Sequence, residues 1–538
     1  MKAHNSKIEE YLLFIDTFAY VILVFLLVLY SIFASNFSEI HIQLPLINLP
    51  VFVGEIVLGI LLILAVLKYY IVSGAGRLDS RTSLWILLIM GFILLKAFFG
   101  YRHWQALALR NAAMFYYFFY AVLTFFFYNF EVFQNTTVKI LGISVLFLVP
   151  ILRLSHEYYL FSYLCLILFL AAQASSLRMK VLIVIFLIIF FPFHQLFETS
   201  RGALVGIFSG AAFIILFLSY LFWKKNWISV LFSTALFLLI VFVGYVYMGD
   251  VTKSRFQSTL DFKGWIKHYH YMLAKADESL LTYKPHEFEL RLYQVNATAK
   301  LNTQDEFDQF IKKTKTILPV VTPSKISLIE LNRELNEDVA QFKLSKEARD
   351  GRGNSFQDRS LDEFYSNSGF RNERLMSVGN LVWRFILWRD LLDDFQKMLK
   401  KPTVLLFGFD FGRPIRSKRL EASGRAYPVQ TGWLEPHNSV LHILYRGGLI
   451  GFLFLLVALR AFWKKTMVML ETKSLGGVLL LSIVIYWFVF SLSLVVLELP
   501  HYAIPFWCLT GLAFAYLFKE SGFSRVSIKP PKKTYPLA

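Results

Sequence analysis

Residues 437–451 read His-Asn-Ser-Val-Leu-His-Ile-Leu-Tyr-Arg-Gly-Gly-Leu-Ile-Gly. They end the long polar segment 249–436 and open a long apolar run. A change of this kind places His437 at a boundary between water and hydrocarbon. Histidine titrates near neutral pH, so chemistry at a membrane surface can use such a position.

Outward from this stretch the chain is apolar almost throughout. Of its 538 residues 56% are hydrophobic, and the mean hydropathy is +0.53. That excludes an ordinary soluble domain. Apolar runs of about 20 residues read as transmembrane helices, because a helix needs that length to cross the hydrocarbon. Twelve are predicted, at 11–33, 49–71, 83–100, 111–129, 138–153, 157–174, 180–195, 202–222, 227–248, 438–462, 475–497 and 503–518. The break before 157 rests on Arg153, His156 and Glu157. The N-terminal run is about twice the length of a signal-peptide core, with no clear cleavage site after it. Cys165 and Cys508 both lie within apolar runs, so no disulfide framework is expected. The expected fold is an all-α polytopic membrane protein: spans one to nine over 1–248, a large outer segment at 249–436, spans ten to twelve over 437–518, and a basic tail at 519–538.

The net charge of +18 is spread out rather than clustered. Residues 250–436 hold 30 Lys/Arg and 25 Asp/Glu, leaving +13 for the remainder. This is not a nucleic-acid signature. Short cytoplasmic loops are enriched in Lys and Arg. Lys68, Arg77 and Arg81, then Arg178 and Lys180, Lys224 and Lys225, Arg460 to Lys473, and the C-terminal tail all fall on one side of a twelve-span topology. Both termini are then cytoplasmic and 249–436 is periplasmic or extracellular. Loop 34–50 has no Lys or Arg and fits the outer side. Arg102, Arg110, Arg153 and Arg201 run against the bias, at outer ends of spans. They either snorkel to the interface or meet an anionic ligand.

The outer segment reads as mostly helical, with a charged insertion at about 255–375 and a further part at 376–436. Apolar residues at 385, 388, 391, 392, 395, 398 and 399 predict one helical face, and Pro402 a stop. Val404 to Gly412 is an apolar run ending in a glycine turn. Its lone Asp410-Phe411-Gly412 lacks the context of a kinase magnesium motif.

Three separated patterns carry a resemblance. One is Ser200-Arg201-Gly202-Ala203 through Gly206. The second is Arg384, Trp388 and the 408–412 glycine turn. The third is His437-Asn438 leading to Gly447, Gly448 and Gly451. Over about 180–515 the chain resembles the O-antigen ligase and polysaccharide polymerase superfamily of bacterial inner-membrane proteins. The resemblance implies a C-type glycosyltransferase fold. It implies an undecaprenyl-diphosphate-linked glycan as donor, and a glycan, lipid A-core or protein hydroxyl as acceptor. It carries the family's essential residues onto Arg201, Arg384 and His437. Arg102, Arg110, Arg153 and Asn438 are the candidate substrate-binding residues. The charged insertion is longer than a minimal member would need.

These residue types suit the chemistry. Breaking a sugar–diphosphate bond releases a highly charged leaving group. Arginine stays protonated and binds phosphate oxygens with two parallel hydrogen bonds. Histidine can orient or deprotonate the attacking hydroxyl, and attack from the opposite face inverts the anomeric centre. Loop 34–50 offers a single acid, Glu39, and no cluster has metal-ligand spacing. A metal-free reaction without a cofactor is therefore expected. His442, Arg389, Trp388 and Phe385 read as structural, and Gly447, Gly448 and Gly451 as close helix packing. Lys96 is a buried cation that could snorkel or pair with Glu55, and a secondary transporter would use it. The other readings are that transporter, a protein O-oligosaccharyltransferase of the same superfamily, and a scaffold of an envelope complex.

Overall fold

The computed structural model describes residues 2–44, 49–72, 80–104, 106–128, 151–173, 200–223, 373–422, 435–494 and 496–520, with isolated positions between 178 and 274. The predicted spans at 138–153 (but for its last residues) and, apart from isolated positions, 180–195 and 227–248 lie outside the described residues, as do nearly all of the 255–375 insertion and the tail beyond Glu520.

The described chain is mostly helical. The helices are α1 Lys2–Ser38, α2 Val53–Val72, α3 Ser80–Trp104, α4 Ala106–Tyr116, α5 Phe119–Phe127, α6 Glu157–Gln173 and α7 Arg201–Trp223. They continue as α8 Glu373–Met398, α9 Pro402–Phe407, α10 Lys418–Ala422, α11 Ser439–Thr472, α12 Leu475–Ser491 and α13 Pro500–Glu520. Among the described residues, five stretches are long and apolar enough to cross a membrane: Glu9–Ser38, Val53–Ile71, Gly202–Tyr220, Ser439–Thr472 and Pro500–Glu520. α6 and α12 are shorter apolar helices.

Local chemistry sets several of these boundaries. Lys473 adopts the left-handed conformation (φ 53°) and returns its N–H to Met469, ending α11. Ser474 then caps α12 by accepting the Gly477 N–H at 3.2 Å. Two helices thus meet with almost no loop. α12 is apolar all round and buried on nearly every side, as such a composition requires.

Three expectations need correction. The expected all-α fold and the span beginning at 49 are interrupted by two strands: β1 His41–Leu44 and β2 Leu49–Phe52 pair antiparallel, His41 opposite Phe52. The fold is therefore not strictly all-α. The predicted span 111–129 is two helices, because α4 ends at Tyr116 and α5 begins at Phe119. The buried face of α8 is Val382, Trp383, Ile386, Leu387, Asp390, Leu391 and Met398; of the expected face, Leu391 and Met398 are buried, whereas Leu392 and Leu399 are 53% and 66% exposed. The reason is compositional. Residues 381–388 are apolar at nearly every position, so periodicity cannot choose a face. Pro402 does more than stop α8; it opens α9 at its first turn, where proline lacks no needed N–H.

The chain divides into two compact units. The first comprises 1–257, 391–413 and 435–538. In it α12 packs on α6, α7 and α13, and α13 also contacts α1, α5 and α11. A buried ion pair between Lys68 and Asp16 joins α2 to α1. Lys68 is thus a paired side chain, not a free loop cation. The second unit comprises 258–390 and 414–434. Within it the buried Asp390 carboxylate accepts the Ser417 hydroxyl at 2.5 Å and the Arg419 guanidinium.

Candidate functional site

Helix α11 begins where the polar segment ends, and its first residues are pinned to the turn that follows α12. Asn438 caps α11, its Oδ1 accepting the Leu441 N–H at 3.0 Å. Its Nδ2 donates to the Leu492 carbonyl at 2.9 Å. The Ser439 hydroxyl, fully buried, donates to the Leu494 carbonyl at 3.3 Å. Asn438 therefore acts first as a cap and a clamp, with both ends of its amide engaged.

His437 precedes this cap with φ at 53°. A β-substituted residue in the left-handed region is uncommon, and such positions gather at functional sites. Two residues earlier, Glu435 accepts from Arg110 on α4, Nη2 to Oε1 3.2 Å. Burial pushes the Glu435 carboxyl above the usual carboxylate range, and the Arg110 charge pulls it back. Arg110 thus meets an anion supplied by the protein itself.

Helix α7 comes to the same turn. Arg201 is its first residue, and the Ser200 hydroxyl accepts the Ala203 N–H at 3.4 Å. A Cβ on Gly202 would lie 1.9 Å from Ser493 Oγ. The first turn of α7 and the start of α11 therefore share one support, the 492–494 turn. Two of the three sequence patterns converge there.

Arg102 lies over the Phe98 ring, 4.5 Å from its centroid. Arg153 is exposed. Arg384 belongs to the second unit, 5.8 Å from the centroid of the Trp383 ring. Beside it Phe385 and Trp388 meet edge to face at 5.2 Å, packing as expected, and Arg389 is exposed.

A second polar assembly runs along α11 and went unrecognised in sequence. His442 is fully buried; its Nδ1 pairs with Glu498 and its Nε2 accepts the Arg446 Nε–H at 2.9 Å. Arg446, also fully buried, donates from Nη1 to the Asp410 carbonyl at 2.8 Å. The signal available was His442 and Arg446 four apart in an apolar helix, a spacing that puts both on one face. Glu498, the third member, had no local signal.

The glycine turn is part of this assembly. Gly408 and Gly448 both have positive φ, 73° and 58°. A Cβ on Gly448 would lie 2.4 Å from Gly408 N, so only paired glycines permit this approach. Lys96 is not paired with Glu55. It donates to the carbonyls of Phe407, Phe409 and Arg446, crossing from α3 to tie the turn to α11. Glu55 instead accepts from Tyr116 and Tyr117. Among the described residues, no group of three or more His, Cys, Asp or Glu side chains gathers as a metal centre. No family model, curated protein or solved structure matches this chain.

Proposed function

We propose that this chain is a membrane glycosyltransferase of the O-antigen ligase and polysaccharide polymerase type, with twelve spans and a C-type architecture. It transfers or polymerises an undecaprenyl-diphosphate-linked glycan at the periplasmic face of the bacterial inner membrane. The observation that carries the reading is the shared 492–494 turn, on which both the start of the Arg201 helix and the cap after His437 lean. The left-handed backbone of His437 adds to it. In this reading Arg201 meets the diphosphate with fixed charge, often the largest catalytic contribution, and Arg384 is the essential arginine that the resemblance assigns to the outer segment. His437 orients or deprotonates the acceptor hydroxyl, with inversion and without a metal. Arg110, held by Glu435, and the exposed Arg102 and Arg153 are available to the glycan or its carrier.

The test is His437→Ala in cells, with folding checked by size-exclusion of the purified variant. Lipid-linked precursor accumulates and glycan output stops if the reading holds. Normal output from a folded variant defeats it.

A proton-coupled secondary transporter is the second reading, favoured by one observation. Glu498, His442 and Arg446 form a continuous buried chain of ionisable groups in and beside a helix long enough to span, and intramembrane charges of this kind mark proton paths. Solute-driven proton uptake by purified protein in liposomes, abolished in Glu498→Gln, distinguishes it.

A further inference from the structure

Helix α2 places Glu55 in its first turn. The carboxylate is answered on one side only. Its Oε1 accepts the Tyr116 hydroxyl at 2.6 Å and the Tyr117 hydroxyl at 2.7 Å. Its Oε2 is buried and meets no donor among the described residues. The Tyr30 hydroxyl, on a residue 0% exposed, is also buried with no hydrogen-bond partner among the described residues. It faces the same turn: a Cβ on Gly54 would lie 3.0 Å from Tyr30 Oη and 3.8 Å from Tyr117 Oη. The Gly54 carbonyl accepts the Tyr120 hydroxyl at 2.6 Å.

Three of these tyrosines flank an interruption in an apolar helix, between the end of α4 at Tyr116 and the start of α5 at Phe119. Broken helices at membrane depth gather ion sites, because their ends release backbone groups from the helical ladder. Buried polar atoms in folded proteins are nearly always satisfied, and a carboxylate inside an apolar bundle needs a counter-charge. Among the described residues the buried cations are engaged elsewhere: Lys68 with Asp16, Lys96 with three carbonyls, Arg446 with His442 and a carbonyl. The available atoms are all oxygen, a donor set that suits hard cations. One carboxylate balances one positive charge. Tyr116 and Tyr117 keep oxygen lone pairs while their protons point at Oε1.

We propose that Glu55 and the hydroxyls of Tyr30, Tyr116 and Tyr117 bind a small monovalent cation, of the sodium or potassium class, at the break between α4 and α5. This site does not depend on the glycosyl-transfer reading.

The test uses the full chain purified in detergent. Its thermal midpoint is titrated with sodium chloride or potassium chloride against choline chloride at constant ionic strength. The site predicts a saturable rise that choline does not produce and that Glu55→Gln abolishes. Tyr30→Phe is the sharper variant. If the hydroxyl were merely stranded, its removal would leave the cation response unchanged. As a ligand, its loss raises the half-saturating concentration about fivefold, the worth of one neutral hydrogen bond. Should Glu55→Gln fail to fold, the wild-type and Tyr30→Phe titrations decide alone. Equal responses in sodium, potassium and choline overturn the proposal, as does an unaltered response in Tyr30→Phe. A midpoint that follows pH alone also overturns it and assigns the proton as the counter-charge.

Discussion

Asn438 donates to the carbonyl of Leu492 at 2.9 Å while capping the helix it precedes. The residue that follows His437 is therefore held from both sides, by its own helix and by the turn after α12. His437 inherits its position from these two bonds.

Separating the two bonds gives the first prediction. Asn438→Ser keeps a cap acceptor and loses the donor to Leu492. Asn438→Ala loses both. A lost cap costs about 1 kcal/mol, and a lost neutral hydrogen bond costs about the same. Thermal midpoints of the purified variants should fall in the order wild type, Ser, Ala. Equal midpoints for Ser and Ala would mean that the cap contributes nothing.

Gly202 gives a prediction about the opposite side of that turn. A side chain there collides with Ser493 Oγ. Gly202→Val should destabilise by about 1–3 kcal/mol through overpacking. Ser493→Gly in the same background should recover part of the loss, because it clears the clashing atoms. A double-mutant cycle on thermal midpoints measures the coupling, and strict additivity would argue against this contact.

How much of this was legible depends on whether the cause is local. The switch from polar to apolar at His437, the glycine turn at 408–412 and the helix from Glu157 to Gln173 follow from composition and spacing. The break at Tyr117-Phe118 has no Gly or Pro to announce it. The hairpin of His41–Leu44 and Leu49–Phe52 is only four residues a side. The partners of Lys96 are backbone carbonyls, which have no sequence signature at all. Glu498 reaches His442 across 56 positions, a pairing that only tertiary packing creates. Lys96 and Glu55 look like a natural intramembrane pair by charge, yet each found neutral partners nearer to hand. In the candidate site, the motif positions could be read from the chain; the 492–494 turn that unites two of them could not.

The Glu498–His442–Arg446 chain should respond unequally to two substitutions. Glu498→Gln keeps an acceptor for the His442 Nδ1–H. Glu498→Ala leaves a buried histidine and a buried guanidinium without the acid. Losing a hydrogen bond to a charged group and stranding its buried donor costs about 1–3 kcal/mol. The Ala variant should lose most of its folded yield in detergent, and the Gln variant should retain it. Similar yields for both would show that the acid's hydrogen bonding is not what holds α11 to the 496–499 turn.

Gly448 should tolerate no side chain. Its φ of 58° is strained for any other residue, and a Cβ would lie 2.4 Å from Gly408 N and 2.6 Å from the Leu405 carbonyl. Backbone atoms cannot rotate away as a side chain can. Gly448→Ala should cost at least about 1–3 kcal/mol from the backbone conformation alone, with the steric clash added. Gly447→Ala is the control, since its Cβ would meet only the Phe115 ring, at 3.0 Å. Comparing thermal midpoints checks this, and a Gly447 variant as damaged as the Gly448 variant would defeat it.

Glu435 gives a prediction in pH. Burial raises its carboxyl in the folded chain, against the opposing pull of Arg110. A raised acid binds its proton more tightly when folded than when unfolded. Its contribution to stability is full below the unfolded carboxyl range and is lost as pH rises through the folded value. Glu435→Gln removes that titration while keeping the shape. The variant should match the wild type at low pH and exceed it at neutral pH. Arg110→Met removes the opposing charge, so the wild-type loss of stability with rising pH should steepen. Thermal midpoints across the acidic to neutral range measure both. If Glu435→Gln is instead less stable than the wild type at neutral pH, the ion pair outweighs the burial and the sign of the shift is wrong.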